Sequence, residues 1–235
     1  MYKTIIFDLD DTLTNDFENT KEAFKIVMQT INEEYTDEKF LKFYKIDKQT
    51  WADRAAGKLP TPYENDKEKK AEWIRAYRFL KYFGNRISYE EAVHINNIYM
   101  NAMKEKVVAR EGCYEIIKYL HEKKYRLIIA TNGPIIPLKV KLQKLHIMNF
   151  IDTIFSAEEV GFMKPHDVFY KGLFEKAKIT TMEGILFIGD DIEKDVKGAV
   201  ENGIDICWCN YKNEVNNKYK IDYEIHSLKE LEEIL

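Results

Sequence analysis

No run of apolar residues in this chain approaches the length needed to cross a bilayer, and 32% of its 235 residues are charged, which argues against a membrane protein. The opening residues, Met1-Tyr2-Lys3-Thr4-Ile5-Ile6-Phe7-Asp8, form too short an apolar stretch for a secretory leader, and acids follow at once. A cytoplasmic location with no membrane partner is expected. Cysteine is scarce: Cys113, Cys207 and Cys209 are an odd number with no framework spacing, which speaks against disulfides. One residue between Cys207 and Cys209 is not the usual zinc spacing, so both are expected as small apolar residues in or near a strand. An excess of positive charge is also missing. The net charge of −4 gives no general attraction to nucleic acid polymers or anionic lipid. A single phosphate-bearing small molecule remains possible, because one local cation and a few backbone amides suffice to hold it. No internal repeat or low-complexity tract interrupts the chain.

What is present is enough apolar residue, 45%, for real cores, in a length that suits a core domain plus a modest insertion. A β-rich run from Lys3 to Phe7 ends in the acidic cluster Asp8-Leu9-Asp10-Asp11. Strand signals then nearly vanish until about Arg110. Ala23, Phe24, Val27, Met28 and Ile31 share one helical face. Further helices are expected near 37–57, 66–82 and 88–107, punctuated by Gly57, Pro60, Pro62, Gly84 and Asn85. From Gly112 onward the pattern alternates. Helices near 112–123, around Leu138, Leu142 and Leu145, near 167–177, near 193–202 and from an N-cap at Ser227 are expected among the strands 126–131, 152–155, 185–188 and 205–208. Asn210 to Lys220 reads as a polar surface loop. Apolar strands alternating with amphipathic helices imply a parallel sheet covered on both faces. The expected fold is therefore α/β: a Rossmann-like, three-layer core over residues 1–14 and 110–235, with an all-helical insertion over 15–109.

In open α/β sheets, ligands bind beyond the carboxyl ends of the strands. The first strand ends in Asp8-Leu9-Asp10-Asp11-Thr12 and the second in Thr131-Asn132-Gly133. A later one ends in Gly189-Asp190-Asp191, with Asp195 a turn further on. Gly161-Phe162-Met163-Lys164-Pro165 could bring a lysine to the same edge. Taken singly, Asp190 or Thr131 reads as a turn former or helix cap, and Lys164 as a solvated charge. Asp8 and Asp10 are harder to dismiss. If strand geometry continues, both point to one side, where two close carboxylates repel unless a cation or proton lies between them. Together the groups suit phosphoryl transfer: hard oxygen ligands for Mg²⁺, a carboxylate able to attack phosphorus, and a lysine and hydroxyl for the phosphoryl oxygens.

With these motifs in order, the sequence resembles the phosphatases of the haloacid dehalogenase (HAD) superfamily. Asp8-Leu9-Asp10-Asp11-Thr12 is similar to the family's first motif, Asp-x-Asp-x-Thr. Thr131 matches the second, Lys164 the third, and Gly189-Asp190 through Asp195 the fourth. The helical insertion falls where the C1 cap of that family belongs. The resemblance implies that Asp8 attacks phosphorus and becomes an aspartyl phosphate, with Asp10 as acid and then base. It implies Mg²⁺ held by Asp8, the backbone carbonyl of Asp10, and Asp190. Thr131, Lys164 and amides near Leu9 and Asn132 would bind the phosphoryl oxygens, while Asp191 and Asp195 would support metal-bound water or Lys164.

Within the superfamily the chain resembles the bacterial pyrimidine 5′-nucleotidases. Thr50-Trp51 through Gly57-Lys58-Leu59, Tyr77-Arg78-Phe79, and Gly203-Ile204-Asp205-Ile206-Cys207-Trp208-Cys209-Asn210 carry that resemblance. Core packing is the plainer reading of Trp51, Phe79 and Trp208 taken alone; a wall beside a nucleobase is the functional one. Phe17, Trp51, Arg54 and Arg78 are the candidate substrate contacts. The expected partner is a small phosphate ester, a nucleoside 5′-monophosphate first, with a sugar phosphate or phosphoglycolate as the rival within the superfamily. A phosphate-accepting receiver or a catalytically dead binding protein is the rival of another class. The receiver would place its acceptor Asp after a later strand, whereas here the next strand after Asp8 ends in Thr131. Sequence alone does not distinguish a monomer from a weak dimer.

Overall fold

The computed structural model of the chain describes residues 2–63 and 65–235. They divide into two compact units, one of Met1–Asp16 with Val107–Leu235 and one of Phe17–Lys106. The strands are β1 (Thr4–Phe7), β2 (Arg126–Thr131), β3 (Thr153–Ser156), β4 (Ile185–Gly189), β5 (Asp205–Cys209) and β6 (Tyr223–Ile225). The helices are α1 (Asp16–Thr30), α2 (Asp37–Ala55), α3 (Lys67–Phe83), α4 (Tyr89–Glu105), α5 (Cys113–Glu122), α6 (Ile135–Lys144), α7 (Asp167–Lys176), α8 (Lys197–Glu201) and α9 (Leu231–Ile234). No helix among the described residues is long and apolar enough to cross a membrane.

Among the described residues, six strands join one sheet in the order β3-β2-β1-β4-β5-β6, and every neighbouring pair is parallel. The alternation of side chains along each strand explains the layering. Ile5, Phe7, Leu127, Ile129, Leu186, Ile188 and Cys207 join one apolar core with residues of α5 and α6. Their sequence neighbours Ile6, Ile128, Ala130, Phe187, Ile206 and Trp208 join a second core with residues of α7 and α8. Strands apolar on both sides thus sit between two helical layers, the α/β arrangement expected from the alternating pattern. The three cysteines are buried free thiols.

Two local readings need correction, and one strand carries no signal in the sequence. Tyr223–Ile225 is a sixth strand, paired with Cys207–Cys209. Its few residues show no period, and only pairing to β5 and burial of Ile225 make it a strand. The helix expected near 193–202 starts instead as a wide π turn over Ile192–Val196 before α8. Ser227 does cap a helical start, by accepting from Lys229 N, but it opens a single 3₁₀ turn that leads into the short α9.

The second unit is helical. On α1 the buried side chains Asn19, Thr20, Ala23, Phe24, Val27 and Met28 recur at helical spacing. Thr36, Asp66 and Ser88 each accept a backbone N–H at the start of α2, α3 and α4, and Glu91 completes a capping box with Ser88. The core of this unit is aromatic: Phe43 stacks on Phe24 and Phe79 at centroid distances of 4.6 and 5.2 Å.

Candidate active site

Strand order reverses at β1, with β2 on one side and β4 on the other, so a ligand crevice belongs at the carboxyl ends of these three strands. Asp8 extends the ladder by one bond, its N–H donating to Ile188 O at 2.9 Å. The chain then turns. Leu13 N and Thr14 N both donate to Leu9 O, and Asp11 takes a left-handed φ of +68°. This overturns the condition on which Asp8 and Asp10 were expected to continue one strand geometry. The two acids are still near each other, but different cations hold them.

Asp8 is 6% exposed and Lys164 is 4% exposed. Lys164 Nζ donates to Asp8 Oδ1 at 2.5 Å, to Asp195 Oδ1 at 2.7 Å and to Ala130 O at 3.0 Å. Asn132 fixes the lysine's backbone from two sides: Lys164 N donates to Asn132 Oδ1 at 2.7 Å, and Asn132 Nδ2 donates to Lys164 O at 3.3 Å. Lys164 is therefore not the solvated charge it would be in isolation. Burial opposes its charge, but Asp195 and Asp8 outweigh burial and hold its pKa above the ordinary lysine value.

Asp10 is held by a different lysine. Its Oδ1 accepts from the Nζ of Lys141, a residue of α6. A Cβ built on Gly133 would lie 3.4 Å from both Asp10 Oδ2 and Thr131 Oγ1, so the free face of Gly133 opens onto these two groups. Thr131 is buried, and its Oγ1 accepts from Gly133 N at 3.0 Å.

Asp190 follows β4. Thr12 Oγ1 donates to its Oδ1 at 3.2 Å, and the buried Trp208 holds its carbonyl through Nε1 at 2.9 Å. Asp195 comes from the π turn, a geometry that recurs at functional sites. Gly189 makes room for it: an added Cβ would lie 2.5 Å from Asp195 Cβ and Cγ. Asp191 is the N-cap of that turn, accepting from Glu193 N and Lys194 N, and pairs with Lys194. Burial works against its charge, but Lys194 and the two amides keep its pKa below the usual carboxylate value.

Carboxylate oxygens of Asp8, Asp190 and Asp195 lie within 4.8 Å of one another. Burial pushes the pKa of Asp8 up to about 7 despite Lys164, with Asp195 and Asp10 adding to the rise. Burial, Asp195 and Asp8 push Asp190 up to about 8. Such a cluster is short of positive charge, and its all-oxygen donor set fits a small, hard divalent cation. Asp195 is the least available ligand, because Lys164 occupies its Oδ1 and Asp191 N its Oδ2. Asp8 and Asp190 are the better placed pair. Lys141 takes Oδ1 of Asp10, and the backbone carbonyl of Asp10 is a further oxygen that could face a cation.

The remaining candidates belong to the helical unit. Phe17 packs edge-on against Phe40 and Tyr44. Trp51 is 50% exposed, with the Arg54 and Arg78 guanidinium carbons 5.0 and 6.0 Å from its ring centroid. Arg78 is buried, and its Nη1 donates to Asp47 Oδ1 at 2.6 Å. Phe79 and Trp208 are core residues.

Sequence reasoning missed Lys141 and the braces of the turn after β1. Arg110 donates to Asp11 O from Nε and Nη2, and Tyr211 OH donates to Thr12 O at 3.1 Å. A helical lysine beside Lys139 and Lys144 carries no signal of its own. Its only clue is that its helix follows the strand ending in Thr131.

Residues 5–209 match the sequence profile of the haloacid dehalogenase-like hydrolases. The chain belongs to that family. YfnB of Bacillus subtilis (strain 168), a candidate HAD-hydrolase, is 29% identical over 239 residues, covering 100% of this chain and 95% of YfnB. The magnesium-bound structure of YfnB matches this hydrolase with a TM-score of 0.85 at 25% identity, over 100% of this chain and 98% of that one. The pyrimidine 5′-nucleotidase PynA of Streptococcus pneumoniae (strain ATCC BAA-255 / R6) is 26% identical over 234 residues, 98% of this chain and 93% of PynA. A glyceraldehyde 3-phosphate phosphatase of Methanocaldococcus jannaschii is 28% identical over 241 residues, 100% of this chain and 97% of that enzyme.

Proposed function

We propose that this HAD-like hydrolase is a magnesium-dependent phosphomonoesterase with Asp8 as its nucleophile, acting on nucleoside 5′-monophosphates, pyrimidine and deoxy forms first. The observation that carries the reading is the placement of Asp8: buried past the end of the central strand, on Lys164, with Asp10, Thr131 and Asp190 around it. Residues 1–14 and 110–235 as catalytic core, and 15–109 as the cap that selects the leaving group, are part of the same proposal.

Bound through Asp8, the backbone carbonyl of Asp10, and Asp190, magnesium would supply positive charge against the phosphoryl oxygens. Thr131 Oγ1 and Lys164 Nζ bind those oxygens, with amides near Leu9 and Asn132. Asp8 attacks phosphorus with a carboxylate oxygen as the ester P–O bond breaks, and Asp10 gives its proton to the departing alcohol oxygen. Water then attacks phosphorus, Asp10 takes its proton, and the bond from phosphorus to the Asp8 oxygen breaks, releasing phosphate. Asp195 keeps Lys164 aimed. The assistance of an acid and base in such a step contributes about 10²–10⁴-fold.

Asp8→Asn should abolish turnover in folded protein with magnesium present, and unchanged hydrolysis would refute the mechanism. The similarity to PynA supports the nucleotidase reading. The similarity to the archaeal glyceraldehyde 3-phosphate phosphatase, at comparable identity and coverage, favours a sugar-phosphate reading. Kinetics on dUMP, dTMP, UMP, purine nucleotides and sugar phosphates decide between them. Rates on a sugar phosphate far above those on every nucleotide would overturn the first and leave the phosphatase intact.

A further inference from the structure

The crevice holds two lysines, one buried and one half-buried, and they divide its acids. Lys164 holds Asp8 and Asp195. Lys141 holds Asp10 and has Asp16 Oδ1 at 3.9 Å. The Lys141 side chain is 16% exposed. It reaches Asp10 from α6, whose Leu138 and Leu142 are anchored in the core between that helix and the sheet. This anchoring fixes the height from which the ammonium approaches. The contact orients Asp10 as well as balancing its charge. One oxygen, Oδ1, is committed to the ammonium, while Oδ2 sits 3.4 Å from the position a Cβ at Gly133 would occupy, the same distance as Thr131 Oγ1. The oxygen on the Gly133 side is thus the one left to move a proton.

We propose that Lys141 is the positioning residue for Asp10, holding Oδ1 so that Oδ2 exchanges the proton with the leaving-group oxygen. The proposal rests on the phosphatase reading above. When the ester P–O bond breaks, the proton passes from Asp10 Oδ2 to the alcohol oxygen and negative charge grows on the Asp10 carboxylate. The Lys141 ammonium, already in contact, stabilises that charge as it forms. The gain depends on how much the leaving group needs a proton: an alkoxide needs one, and a p-nitrophenolate does not.

The test compares kcat/KM, which covers steps up to departure of the leaving group, for an alkyl phosphate ester and for p-nitrophenyl phosphate, with magnesium-loaded protein. Lys141→Met should lose about thirtyfold on the alkyl ester, within the range of general acid assistance, and little on p-nitrophenyl phosphate. Lys141→Arg, which keeps the charge and a donor, should recover most of the loss. Lys141→Gln serves as a second neutral variant if the Met protein folds poorly, and circular dichroism shows which variants are folded. Equal losses on both esters in folded variants would mean that Lys141 serves binding or the fold, and would overturn the proposal. No loss on either ester, or no rescue by arginine, would overturn it too. Wild-type protein that hydrolyses neither ester would overturn the phosphatase reading and this proposal together; an active wild type with an unselective Lys141→Met loss overturns this proposal alone.

Discussion

Replacing Lys164 with methionine should destabilise the catalytic unit, and more so as pH rises. Lys164 Nζ makes three hydrogen bonds, two of them to carboxylates, and its side chain is 2% exposed. Methionine fills most of the same volume but leaves Asp8 and Asp195 buried without their cation, with Asp190 close by. Removing one partner of a buried ion pair costs about 3–5 kcal/mol. That cost applies where the acids are ionised. Even with Lys164 in place, Asp8 and Asp190 have pKa values raised from 3.8 to about 7 and about 8. The folded state therefore binds more protons than the unfolded chain between pH 3.8 and those values, and the metal-free protein loses stability as pH rises through that window. Without Lys164, Asp8 is still harder to ionise, so the slope steepens. Urea unfolding with EDTA, followed by circular dichroism at pH 5 and pH 8, should give a loss for Lys164→Met near the upper end of about 3–5 kcal/mol at the higher pH and clearly less at the lower. Millimolar Mg²⁺ at pH 8 should recover part of the loss in wild type and variant alike. A loss that is equal at both pH values, or absent, would refute the view of a cluster short of positive charge.

Regions outside that cluster are open to test as well. Arg78→Met should cost the helical unit about 3–5 kcal/mol, because Asp47 would remain buried and unpaired, while the double replacement Arg78→Met with Asp47→Leu should recover most of it; equal losses in urea unfolding would argue against a buried pair. Cys113, Cys207 and Cys209 should resist a thiol reagent in the native state, since burial pushes the first two up to about 12 and the third well above its ordinary value. Rapid labelling of all three before unfolding would contradict that burial.

The sequence by itself determined the α/β class and five of the six strands, because these are local matters: a strand apolar on both faces and an amphipathic helix each declare themselves within a few residues. It also put Asp8, Thr131 and Asp190 at strand ends, where the topology of a parallel sheet makes one edge of three separate segments. The rest was decided by packing. Thr131 at a strand end is readable, whereas Lys141 meeting Asp10 depends on how α6 seats against the sheet, and the sequence separation between the two is far beyond any local pattern. Tyr223–Ile225 is a strand only because β5 offers it an edge. Asp195 reaches Lys164 because the chain takes a π turn and Gly189 leaves space for its side chain. Asp8 and Asp10 show the division best. Their spacing in sequence marks them as a pair, but the turn after β1 and two lysines from distant segments give each its own cation. Long-range electrostatic pairing of this kind is a property of the assembled core, where burial makes each charge find a partner, and no stretch of sequence carries it alone.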